Sequence, residues 1–314
     1  MNALAAALKK YLQLRRSLGA ELQGVDNALR DFVAFATRER SFHVTTDVAL
    51  RWAQEPREVL PVTWAARLRW VRGFALWLST TDPRTEVPPA GLLSSRYQRR
   101  PPYIFSDAEI AAIIREAGRL ASPKGLRGRT YSTIFGLLSV TGMRVTEVLA
   151  LDREDVDLKE GVLTIRRTKF RKSRLVPLHD STCRVLAAYA RVRDRVIPQA
   201  ATAAYFLSDS GTRITKWATR CNFAQVSRAV GLRQATPGRR HGHGPRLHDM
   251  RHRFAVHTLV EWYRTGVDVE RELPKLATYL GHVHVNDTYW YLEAVPELLQ
   301  LATRRLGHTR EGAR

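Results

Sequence analysis

At 314 residues, with 51 Lys and Arg against 30 Asp and Glu, the chain carries a formal charge of +21. Hydrophobic residues at 44% beside 26% charged residues exclude wholesale disorder, and the length suits about two domains with cores of their own. No apolar run reaches the ~18 residues of a membrane span, and two cysteines, Cys183 and Cys221, make neither a CxxC nor a disulfide framework. The expectation is therefore a soluble, cytoplasmic protein with no membrane contact and a polyanionic partner. The charge is uneven: residues 1–90 hold 13 basic and 9 acidic side chains, so most of the surplus lies beyond them. Arg outnumbers Lys 43 to 8. A GC-rich coding bias would produce that ratio, and so would phosphate recognition by planar guanidinium forks.

The basic residues 1–19 read as the first helix of the fold, with Leu4, Leu8, Tyr11 and Leu12 at helical steps and Gly19 as its stop. Residues 25–37 repeat the pattern with Leu29, Phe32 and Val33. Thr45 or Thr46 is expected to cap a short helix through Trp52, and Thr63 a fourth carrying Leu68, Val71, Phe74 and Leu78. Residues 91–103, which follow Pro88 and Pro89 and contain Pro101 and Pro102, read as a basic, Pro-rich linker. Ser106 and Glu109 fit a capping box that opens a second domain over 104–314. There helical patterns dominate, interrupted by two short strands at 161–167 and 174–178 with a basic turn between them. Residues 238–244, rich in Gly, His and Arg, read as a mobile loop. The fold class is mainly α with a small β-hairpin, in two domains.

Four segments of the second domain carry chemistry. They are Thr141-Gly142-Met143-Arg144, the basic turn with Lys169, Leu247-His248-Asp249-Met250-Arg251, and Leu280-Gly281-His282 with Tyr291 nine residues on. In this order they resemble the tyrosine recombinase (phage integrase) family, similar to lambda-type integrases and the Xer recombinases. The resemblance spans about residues 106–298 by motif, with a weaker match of the helical N-terminal part (1–90) to the family's SAM-like core-binding domain. It implies that Arg144 and Arg251 are the two catalytic arginines and His248 the histidine ahead of the second. It also implies that His282 fills the position held by His or Trp, that Lys169 protonates the leaving group, and that Tyr291 is the nucleophile.

Physical chemistry supports those residue types. A phosphotyrosyl ester stores the energy of a broken phosphodiester until another 5′-hydroxyl attacks it, so neither ATP nor a metal is expected. Two guanidiniums suit the charge that gathers on the non-bridging oxygens. A phenol with a pKa of about 10 needs a base or a strong positive field, and His248 could accept its proton. Lys172 rivals Lys169 within a turn that also suits plain phosphate contact, and Tyr289 rivals Tyr291 from another helical face. His241-Gly242-His243 and His282-Val283-His284 lack carboxylate or thiol partners at metal-ligand spacing. The charged stretch 261–275 exceeds the family's usual length and reads as a surface loop or helix. Residues 295–306 suit a C-terminal helix packed on its own domain or on a neighbouring protomer.

The resemblance implies a C-shaped clamp on double-stranded DNA that cuts and rejoins it site-specifically. A homodimer would sit on each inverted-repeat core site, with a homotetramer in the synapse and accessory DNA-bending proteins as further partners. A type IB topoisomerase-like relaxing enzyme and a catalytically inactive DNA-binding regulator are the alternatives. The full set of Arg144, Lys169, His248, Arg251, His282 and Tyr291 argues against the regulator.

Overall fold

Helical periodicity in the first hundred residues becomes four helices, α1 (Ala3–Ser17), α2 (Val25–Arg38), α3 (Thr46–Gln54) and α4 (Pro61–Leu78). The computed structural model describes residues 3–22, 24–95, 102–166, 173–236, 239–282, 284–294 and 298–300. They fall into two units, Met1–Arg100 and Pro101–Arg314. In the first unit the apolar stripes of all four helices meet. Leu8 and Leu12 from α1, Leu29 and Phe32 from α2, Trp52 from α3 and Val71 and Phe74 from α4 are buried together. Thr45 caps α3 by accepting from the Val48 amide. Thr63 does not cap α4: that helix starts earlier, at Pro61, whose fixed φ and missing N–H suit a first helical turn.

The second unit opens with α5 (Asp107–Gly118), where Ser106 and Glu109 form the expected reciprocal cap. Helix α6 (Arg127–Thr141) is buried on nearly every side, with Ile134, Phe135 and Leu138 at its centre. It touches α5, α8 (Asp180–Val196) and α10 (Leu247–Arg264), and ends one turn before α7 (Val145–Ala150). Strands β1 (Val156–Asp157), β2 (Val162–Ile165) and β3 (Arg174–Pro177) make an antiparallel sheet in that order, with Ile165 opposite Arg174. The expected hairpin is thus present with a third strand on its edge, too short to show a period in sequence. The turn residues between β2 and β3, Lys169 and Lys172 among them, lie outside the described residues.

Helix α9 (Lys216–Ala229) leads to β4 (Gln234–Thr236) and β5 (Arg239–His243), which pair antiparallel. The stretch read as a loop over 238–244 therefore holds a strand. Its Gly, His and Arg residues do not alternate in polarity, so the backbone pairing left no trace in the pattern. The chain continues through α10 into α11 (Val269–Leu280) and α12 (Asn286–Ala294). The charged segment 261–275 is no loop but the end of α10, a turn and the start of α11, whose Val269 and Leu273 are buried. Leu298, beyond α12, is buried in this chain's own cluster with Leu259, Leu276 and Leu280, while 301–306 lie outside the described residues. No helix among the described residues is long and apolar enough to cross a membrane.

Candidate active site

The end of α11 organises the site. Three consecutive carbonyls there each accept from a different arginine: Tyr279 O from Arg174 Nε at 2.8 Å, Leu280 O from Arg251 Nη2 at 2.6 Å, and Gly281 O from Arg144 Nη2 at 2.8 Å. The last carbonyls of a helix lack intrahelical partners and carry its negative partial charge, so guanidiniums satisfy them well. Gly281 makes the arrangement sterically possible. It closes α11 at φ 69°, and a Cβ there would stand 2.9 Å from Arg174 Nη1 and 3.2 Å from Arg144 Nη1.

Gly142 plays the matching part on the other side. It caps α6 in the left-handed region at φ 60°, where a Cβ would meet the Phe254 ring at 2.5 Å. Its carbonyl accepts from Arg251 Nη1 at 2.9 Å. Arg251 is 2% exposed and held between the ends of α6 and α11. Burial first, and then the charge of Arg144, push its pKa down to about 10, so it stays cationic at neutral pH.

Arg144 stands at the N-cap of α7 and reaches Glu147 Oε1 at 2.9 Å, while its amide donates to Oε2. Arg174, the first residue of β3, grips both oxygens of the same carboxylate at 3.0 and 2.8 Å. Burial raises the Glu147 carboxyl, but the hydrogen bonds and charge of Arg174, followed by those of Arg144, outweigh it and hold it below the usual carboxylate range. One carboxylate against Arg144, Arg174 and Arg251 leaves the site with a cationic surplus. Each guanidinium has five donors, and the contacts named for Arg144 and for Arg251 leave N–H groups of both for an anion.

The remaining expected residues gather here too. His248 opens onto a cleft of about 500 Å3 lined by Arg144, Lys216, Arg220, Arg233 and Arg246. Although its edge is exposed to the cleft, dense protein on its other sides and the Arg251 charge push its pKa down to about 4. His282 follows Gly281 and meets Thr288 Oγ1 through Nδ1 at 2.7 Å. Burial, then Arg251 and Arg144, push it down to about 4 as well. Its ring lies parallel to that of Tyr291 with centroids 6.3 Å apart. Tyr291 is 2% exposed, whereas Tyr289 is 44% exposed on another face of α12. The ring nitrogen on the Tyr291 hydroxyl is Nδ1 of His252, at 3.3 Å, and the His248 ring packs edge-on against that imidazole at 4.6 Å.

Sequence reasoning missed Glu147, Arg174 and His252. A carboxylate three residues after Arg144 inside an apolar helix was one available signal; the His directly after Arg251 was another. Nothing local marks Arg174, whose partners lie 27 and 105 residues away.

Comparison with known proteins places the chain and its fold. A sequence model of the phage integrase family matches residues 105–297. The "Putative integrase/recombinase y4rB" of Sinorhizobium fredii is 47% identical over 310 residues, which is 98% of each chain. Tyrosine recombinase XerD of Staphylococcus epidermidis is 30% identical over 223 residues, covering 70% of this chain and 68% of its own. Among solved structures, the XerH site-specific recombinase bound to palindromic difH substrate in a post-cleavage complex superposes with a TM-score of 0.64. It does so at 18% identity, over 90% of this chain and 78% of that one, and so speaks for the fold.

Proposed function

The chain belongs to the phage integrase family and is a tyrosine recombinase of the integrase and Xer kind; we propose that it cuts and rejoins duplex DNA through a 3′-phosphotyrosyl ester on Tyr291. The observation that carries this reading is the pair Arg144 and Arg251, held by the α11 carbonyls beside that tyrosine. A phosphodiester seated on their remaining donors has its non-bridging charge covered as the phosphorus becomes five-coordinate. The Tyr291 oxygen forms its bond to phosphorus, its proton passes to a neighbouring histidine, and the bond to the 5′-oxygen breaks. Lys169, by family likeness, supplies the proton that makes that oxygen a 5′-hydroxyl. A 5′-hydroxyl from a second strand reverses the step and releases the tyrosine. Arg251 and Tyr291 are covered in the unbound chain, so seating the phosphate entails uncovering them on DNA.

The cleft beside the site suits the duplex backbone, because Lys216, Arg220, Arg233 and Arg246 line it together with Arg144. The helical unit Met1–Arg100 takes the role of core-binding domain in this reading, with two protomers on an inverted-repeat site and four in the synapse. The test is a nicked suicide substrate that traps the covalent step. Wild-type protein is expected to give a denaturation-resistant adduct on its cognate site and recombinant products on intact DNA, and Tyr291→Phe none. An adduct that persists in Tyr291→Phe would overturn the nucleophile. Relaxed supercoils without recombinants would favour a relaxing enzyme, and no adduct on any cognate site a DNA-binding regulator.

A further inference from the structure

We propose that His252 is the residue that positions the nucleophile, holding the Tyr291 hydroxyl through its Nδ1 and tying it to the helix that carries Arg251. The proposal rests on Tyr291 being the nucleophile and adds a residue to that same site. His252 is 8% exposed and Tyr291 2%, and their contact at 3.3 Å joins α10 to α12. The next turn of the α10 face that carries His252 is apolar, with Ala255, Val256 and Leu259 buried against Leu276 and Leu280. An imidazole is a costly side chain to bury beside that cluster unless its nitrogens are satisfied. Its hydrogen bond falls on the one phenol oxygen that the proposed reaction uses.

The surroundings of the second nitrogen bear on the direction of that bond. Nε2 stands 3.9 Å from Oδ1 of Asp249, a buried carboxylate that accepts from the Arg246 amide at 2.6 Å and from its guanidinium at 3.0 Å. That negative charge favours the tautomer with its proton on Nε2, which leaves the Nδ1 lone pair to accept from the phenol. The rings of Trp290, at 5.3 Å, and His248, at 4.6 Å, pack the imidazole on its other sides and keep it from turning. Tyr291 is thereby aimed by a residue one position after Arg251 in the same helix. The support of the nucleophile and one arginine of the phosphate clamp thus stand side by side on α10.

The experiment compares His252→Phe, which keeps the ring packing and removes both nitrogens, with His252→Asn, whose amide takes the place of Nδ1. Adduct formation on the suicide substrate is read beside DNA affinity and melting temperature. The expected result is an adduct rate about tenfold lower in His252→Phe at unchanged affinity, with most of the loss restored in His252→Asn. Should the Phe variant fail to fold, His252→Gln, whose amide reaches the Nε2 position instead, is expected to be slow where Asn is not. A His252→Phe rate equal to or above wild type would overturn the proposal, showing packing or restraint in place of positioning. So would an Asn variant that folds and binds DNA yet is as slow as Phe or Gln. Loss of adduct in Tyr291→Phe tests the underlying nucleophile separately, so the two failures are distinguishable.

Discussion

Glu147 is the residue on which the cationic site balances. Its carboxylate is shared by Arg144 and Arg174, so its removal leaves both guanidiniums facing each other across α7 and β3. Glu147→Ala is expected to lower unfolding free energy by about 3 kcal/mol, near the low end for breaking a buried pair because Arg144 is partly exposed. Chemical denaturation measures it. Arg174→Lys is expected to recover little, because an ammonium cannot span both carboxylate oxygens and Tyr279 O as the planar fork does. The histidines set the pH response. His248 and His282 have folded-state pKa values near 4, below the ordinary value of about 6.5, so the unfolded chain binds more protons between those limits. Their contribution to stability is therefore intact above pH 6.5 and is lost as pH falls from there towards 4. Thermal melts across pH 4–7 are expected to show that decline, and His282→Gln to flatten it. An unchanged slope in that variant would remove His282 from the account.

At the scale of elements, the meeting of α6, α10 and α11 depends on glycines at two helix ends. Gly142→Ala puts a methyl into a left-handed conformation and against Phe254, with an expected cost of about 2–4 kcal/mol in urea unfolding. Phe254→Ala is expected to relieve part of it, so the double variant falls short of the sum of the two single losses. Most helices were legible because their signals are local: the Leu4, Leu8 and Leu12 spacing of α1, the Thr45 cap of α3, the Ser106–Glu109 box of α5. The start of α4 was misplaced because Thr63 suggested a cap where Pro61 already began the helix. The site was half legible. Arg144, His248, Arg251, His282 and Tyr291 sit in motifs whose order carries information, and the fold brings them together. Glu147, Arg174 and His252 act through contacts 3, 27 and 39 residues distant, and the longer of these leave no period in a sequence. Nor do backbone carbonyls, which every residue has, announce that three of them will hold three arginines.

For the whole molecule, part of the cationic surplus gathers at Arg144, Arg174 and Arg251, and part lines the adjoining cleft through Lys216, Arg220, Arg233 and Arg246. Lys216→Ala and Arg220→Ala are each expected to weaken DNA binding and to reduce the slope of log affinity against log salt by about one. Titrations at several salt concentrations measure it, and a slope unchanged in both variants would take the cleft off the DNA path. The three carbonyls at the end of α11 also impose an order in time. Arg144 leaves the ribosome 137 residues ahead of the Gly281 carbonyl that holds it. At roughly 5–20 residues per second, that is a wait of roughly 7–27 s. Throughout it, the growing chain has cations but neither the carbonyls that hold the proposed phosphate clamp nor, until Tyr291 follows, the proposed nucleophile. On the proposed reading, a chain interrupted between α7 and α11 would lack both the carbonyls that hold the arginines and Tyr291, so synthesis that stops there would leave the genome unbroken.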